Sequence, residues 1–242
     1  MAGRERGGAI SARADLFIGR PWVITEGDPA RRRIVEDLAL DLGAVPVTMT
    51  AGEHDASVAL ISHVPQLVST LLARRLGDAP EPAVALAGQG LRDTTRIASS
   101  NPELWVQILG ANAAPVAGIL RAYRDDLDAV LTALDAPDAP GARRAIAEVL
   151  AGGNAGVARI PGKHGQANHF SQFVIMVDDT PGELARLLTE IGEAGVNMED
   201  LRLEHSPGAQ FGLAEISVLP EVEERLAAEL ASRGWKIAGA LS

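Results

Sequence analysis

The stretch HFSQFVIMVDDTPGELARLLTEIGEAGVNMEDLRLEH (169–205) changes hydrophobic period twice, and its reading decides the fold. HFSQFVIMV has the length and β-branched content of a strand. Pro181 to Ala194 is apolar at helical spacing, and VNMEDLRLEH alternates Val196, Met198, Leu201 and Leu203 with one slip in phase. QFGLAEISV continues as a strand, Pro220 to Ser232 as a helix and GWKIAG as a last strand. The order β-α-β-β-α-β predicts a ferredoxin-like split unit, a four-stranded antiparallel sheet with both helices on one face.

Charge marks the same boundary. Residues 169–242 hold 13 acidic and 5 basic side chains, a net of −8, against −2 for residues 1–168 and −10 for the chain. Just before the change, AGGNAGVARIPGKHGQAN (151–168) replaces apolar periodicity with repeated glycine and one proline, as a linker does. With 47% hydrophobic and 22% charged residues the chain is globular rather than disordered. Its acidity argues against nucleic acid as a partner. With no cysteine, thiolate zinc sites and thiol nucleophiles are excluded. No long uncharged apolar run is apparent, which points away from a membrane and towards the cytoplasm.

Upstream, residues 51–152 are dominated by helical periodicity. A helix from Ala51 to Arg75 is interrupted by Pro65, which predicts a kink, and a shorter helix runs from Leu91 to Ser99. Asn101 caps a long helix towards Leu134 that should bend at Pro115, and another helix covers about 140–151. Residues 1–20 read as a loop and short helix. PWVITEG, a helix from Pro29 capped by Asp28 and ending at Leu42 before Gly43, and AVPVTMT then make a strand–helix–strand unit too small to stand alone. The overall expectation is α+β, with boundaries 1–50, 51–152, 153–168 as linker, and 169–242.

Three groups of residues could carry chemistry. His54 and His63 lie nine residues apart on one predicted helix, so their rings point to nearly opposite faces unless Pro65 reshapes it, and no metal site is predicted. For an arbitrary histidine at position 63, a satisfied core or surface role is the better bet. Arg92 and Arg96 share a helical face beside Asp93; two guanidiniums there suit a dicarboxylate, and equally a solvated surface with an Arg–Asp pair. In the C-terminal module Asp179 and Gly182 occupy a strand-to-helix turn and Asn197 the next turn, where amides could receive an amino-acid ligand or simply cap the helix. GQGLRD lacks the third glycine of a dinucleotide fingerprint.

The segments MAGRERGGAISARADLFIGRPWVIT (1–25), EHDASVALISHVPQLV (53–68) and GLRDTTRIASSNPELWVQIL (90–109), in this order, resemble prephenate dehydrogenase. GNAGVARIPGKHG resembles the linker of its actinobacterial and bacillar forms, and residues 169–238 resemble the ACT domain that follows. The resemblance implies oxidative decarboxylation of prephenate to 4-hydroxyphenylpyruvate with NAD or NADP, an intertwined homodimer, and tyrosine or phenylalanine as effector. It implies that Arg96 binds a prephenate carboxylate, that His63 lines the site, and that His54, Asp93 and Trp105 lie near it. Gln66 stands where the commoner pattern has a second histidine. The family's catalytic histidine would lie just before Met1, and residues 1–50 would be the end of a Rossmann-type sheet. The expectation is therefore a truncated chain that binds no nicotinamide and is inactive alone. The competing expectation is a non-enzymatic dimerisation protein that senses an amino acid through its ACT module.

Overall fold

The computed structural model describes residues 12–160, 170–205 and 210–241. Residues 1–11, the start of the first resembling segment, lie outside them; residues 14–19 form turns. Strands β1 (Pro21–Thr25) and β2 (Val45–Met49) pair in parallel, Val23 opposite Val47, and α1 (Pro29–Asp41) connects them. Asp28 caps α1 by accepting the Arg31 amide at 3.0 Å, and Gly43 (φ 72°) follows the helix in the left-handed region. Two strands and one helix bury only Ile24, Ala39 and Ala44.

The Ala51–Arg74 helix is long and apolar enough by composition to cross a membrane, yet it turns Ala59 and Val64 onto a packed core. It comprises α2 (Ala51–Val58), a π-helical turn (Ala59–His63) and α3 (Val64–Arg74). Thr50 and Glu53 cap it reciprocally, a T-x-x-E box legible in the sequence that the helix start at Ala51 passed over. The expected kink at Pro65 takes another form. Proline at position 65 brings no amide and crowds the carbonyl four residues back, and the chain widens to i→i−5 bonding ahead of it, the Val64 amide reaching the Ala59 carbonyl.

Short α4 (Glu81–Ala85), absent from the sequence reading, and α5 (Gln89–Thr95) follow, then a 3₁₀ turn (Arg96–Ala98). Asn101 caps α6 (Pro102–Ala111) by accepting the Glu103 amide. The bend expected at Pro115 is instead a break at Asn112, with α6 and α7 (Ala113–Asp135) at 95°. The ring of Pro115 would clash with the carbonyl of Ala111, so the incoming helix ends there. Helix α8 (Ala142–Val157) extends six residues past the expected end at 151 and into the glycine-rich stretch, since each added residue still gains a backbone bond. Residues 161–169, which include the end of that stretch, lie outside the described residues.

The chain divides into two compact units, Met1–Ala85 with Asp93–Asp135, and Leu86–Arg92 with Ala136–Ser242. In the second, β3 (Ser171–Asp178), α9 (Glu183–Glu193), β4 (Asp200–His205), β5 (Phe211–Val218), α10 (Pro220–Ser232) and β6 (Lys236–Leu241) occur in the expected order. The sheet order is β4-β5-β3-β6, every pair antiparallel. Strand β4 is shorter than VNMEDLRLEH suggested, because 196–199 are not strand; the slip in alternation falls there. Phe173, Ile175, Leu187, Ile191, Ile216, Leu226 and Leu230, each at most 1% exposed, make the core between sheet and helices.

Candidate functional site

The first unit buries polar side chains beside a small apolar cluster of Ala59, Val64 and Val116. His63, Gln66, Ser69 and Asn112 are all at most 7% exposed. Burying such groups is costly unless they are paired, so their partners define what the region is built to hold.

His63 ends the π turn. Nine α-helical residues would set His54 and His63 about 180° apart, but a π turn absorbs one extra residue and reduces the offset to about 80°. The exception allowed for at Pro65 therefore applies, and His54 lies close enough for its charge to act on His63. His54 Nδ1 itself pairs with Asp55 Oδ1 at 3.0 Å. Asn112 Nδ2 donates to the Asp55 carbonyl at 2.8 Å and lies 3.2 Å from His63 Nδ1. The Trp105 indole meets the His63 ring edge-on at 6.2 Å between centroids. Burial first, and then His54, hold the His63 pKa below the ordinary imidazole value, with Asp55 partly opposing them.

Gln66, one turn further along α3, donates to Ser100 Oγ at 2.7 Å. This bond ties α3 to the chain just after the 3₁₀ turn that opens with Arg96. Gln66 thus has a positional role that its place in the SHVPQ motif did not reveal. Ser69 Oγ is buried without a protein partner among the described residues.

Arg96 is exposed. The backbone changes from α to 3₁₀ between Arg92 and Arg96, so the four-residue α-helical spacing that put them on one face does not hold as read. Asp93 is exposed on α5 and Trp105 half-buried on α6. Asn112, Ser69 and the Gln66–Ser100 bond were missed by sequence reasoning. Only the proline three residues after Asn112 could have indicated that the helix would break there.

In the second unit, Gly182 caps α9 at φ 98°, a left-handed conformation that favours glycine. The Asp179 amide is occupied by the Gln210 carbonyl at 2.9 Å, and Asn197 is exposed between α9 and β4. A cavity of about 80 Å³ at this end of the sheet is lined by Met176, Asp178, Glu183, Arg186, Trp235 and Lys236, with Gly234, rather than by the three residues expected. That is well below the roughly 300 Å³ at which small-molecule pockets begin. Arg186 fills much of this end: it lies 4.0 Å over the Trp235 ring while paired to Glu183 and Glu190.

Among the described residues no group of three or more His, Asp or Glu could hold a metal ion. The βα turn after β1 does not fit a dinucleotide. It carries Gly27 alone, and the Asp28 carboxylate already occupies the α1 amide that a pyrophosphate would seek.

Residues 50–148 match the prephenate dehydrogenase dimerization domain. A protein of Streptomyces niveus named as a probable prephenate dehydrogenase, NovF, is 34% identical over 97% of this chain and 68% of its own length. Three further curated relatives, two prephenate dehydrogenases and a cyclohexadienyl dehydrogenase, are spanned over only 36–50% of their length. Among solved structures, a Corynebacterium glutamicum protein assigned as a prephenate dehydrogenase is 26% identical with a TM-score of 0.57, covering 66% of this chain and 54% of that one. The Aquifex aeolicus prephenate dehydrogenase solved with hydroxyphenyl propionate and NAD+ shares the fold at 23% identity and a TM-score of 0.53, covering 64% and 56%. On the identity and coverage it shares with its Streptomyces relative, this chain belongs to the prephenate dehydrogenase family of oxidoreductases.

Proposed function

We propose that this chain supplies the substrate-binding and dimerising part of an enzyme that oxidatively decarboxylates prephenate to 4-hydroxyphenylpyruvate in the cytoplasm, hydride passing to NAD or NADP. The observation that carries this reading is the buried His63–Asn112 pair with half-buried Trp105 against it, at the start of a helix that packs on a turn bearing an exposed arginine, in a chain of this family. Arg96 would grip a substrate carboxylate through two parallel bonds, and the Gln66–Ser100 bond holds its turn against α3. His63 would give the site a hydrogen-bond donor, and His54, Asp93 and Trp105 would shape its surroundings. The nicotinamide supplies the hydride acceptor in this chemistry. The residues described do not fit it.

The dimer reading rests on α7. Its apolar stripe is buried at Val116 and packed at Ile119 and Leu120, then continues as Tyr123, Leu127, Leu131 and Leu134, all more than 45% exposed. A second copy of this chain would cover it.

Isothermal titration with hydroxyphenyl propionate and with NAD+ tests the proposal on the 242-residue chain. Saturable binding of the first, weakened at least tenfold by Arg96→Ala, and none of the second are expected. Absence of hydroxyphenyl propionate binding at millimolar concentration, or binding indifferent to Arg96, would overturn the substrate assignment.

The β-α-β-β-α-β order of the second unit favours an additional ACT-type regulatory role, with tyrosine or phenylalanine at Asp179, Gly182 and Asn197. Titration with each amino acid should show saturable heat if the role is real, and silence at millimolar ligand would remove it.

A further inference from the structure

We infer that Asn112 is a positioning residue that locks His63 as the neutral Nε2–H tautomer, so that the ring presents an uncharged N–H donor. A backbone carbonyl can only accept, so the 2.8 Å contact from Asn112 to the Asp55 carbonyl fixes which end of the Asn112 amide is NH₂. The same nitrogen reaches His63 Nδ1 at 3.2 Å with its second hydrogen. An amide nitrogen offers no lone pair, so His63 Nδ1 must accept and carries no proton. In a neutral imidazole the proton then sits on Nε2, which has no protein partner among the described residues.

The surroundings agree. On α2 the Asp55 carboxylate is engaged by His54 and the Asp55 carbonyl by Asn112. From α6 the ring meets Trp105, which brings no acceptor for a ring proton. Asn112 can reach both groups because it sits outside helical geometry, at φ −122° and ψ 32° between α6 and α7. A neutral donor orients a ligand oxygen while the cationic charge is left to Arg96, which keeps positional and charge recognition on separate side chains.

The ligand-facing role rests on the substrate reading above; the tautomer does not. Long-range proton–nitrogen NMR of the full chain with ¹⁵N-histidine, His63 assigned through His63→Gln, reads the tautomer directly. The expected wild-type result at pH 7.5 is the Nε2–H pattern, with Nδ1 unprotonated. Asn112→Asp replaces the donor by an acceptor and should move the proton to Nδ1 or charge the ring. A wild-type ring that is Nδ1–H, imidazolium or an even mixture would overturn the inference, without need of a folded variant. So would an Asn112→Asp spectrum identical to wild type. Adding hydroxyphenyl propionate should shift the Nε2 resonance and leave the Nδ1 pattern unchanged. An Nε2–H ring indifferent to that probe would uphold the tautomer and refute the substrate site.

Discussion

The two units bury different things. Sheet and helices of the C-terminal unit enclose large side chains, with Ile175, Leu187, Ile216, Leu226 and Leu230 at 0% exposure. The helical unit buries only Ala59, Val64 and Val116 in its main cluster. It places His63, Gln66, Ser69 and Asn112 at similar depth and leaves Leu60, Ile61, Leu71, Val106 and the α7 stripe in solvent. One unit closes its core with its own residues. The other gives interior space to polar side chains and leaves apolar surface exposed, the pattern expected where site-building conflicts with packing.

The largest effect expected from this contrast is in the C-terminal core. Leu187→Ala should cost about 3 kcal/mol in chemical denaturation of the chain, from lost transfer energy plus the cavity left behind. Val116→Ala in the small cluster should cost markedly less, and equal costs would erase the distinction between the cores. Next, Leu127→Asn with Leu131→Asn should halve the mass seen by light scattering while changing far-ultraviolet circular dichroism little. A wild-type chain already monomeric at micromolar concentration would contradict the reading of α7 as an interface.

A smaller effect concerns pH. Burial lowers the His63 pKa in the folded state relative to an unfolded value of about 6.5, so the unfolded chain binds the proton more readily. The stability contributed is complete above that unfolded value and is lost as pH falls below it towards the folded pKa. Thermal melts from pH 7.5 down to 5.5 should therefore decline more steeply for wild type than for His63→Gln, and parallel curves would refute this. The smallest effect has the opposite sign. Ser69→Ala removes a buried hydroxyl without a protein partner and should raise stability by about 0.5–1 kcal/mol, readable as a higher melting temperature. A loss would mean that the hydroxyl has a partner outside the described residues.

Legibility followed the range of the interactions. The caps at Asp28 and Asn101, the parallel β1–α1–β2 unit and the order of the C-terminal elements depend on neighbours in sequence or on simple periodicity, and each could be read in advance. The fate of Pro65 and the break at Asn112 could not. A proline signals that a helix must yield, but whether it kinks, widens into a π turn or ends depends on what packs around it. At the site, residue type drew attention to His63 and Arg96. Asn112 was invisible because its partners are 49 and 57 residues away in sequence.

By itself the sequence determined the α+β character, most of the segments that become helix or strand, and the motifs that mark the family, because propensity, capping and hydrophobic period act within a few residues. Tertiary structure alone decided that a π turn brings His54 and His63 towards one side, that Asn112 and His63 share a buried bond, and that Gln66 holds the Arg96 turn through Ser100. Those outcomes depend on which groups can find hydrogen-bond partners once water is excluded, and that is settled only when distant helices meet.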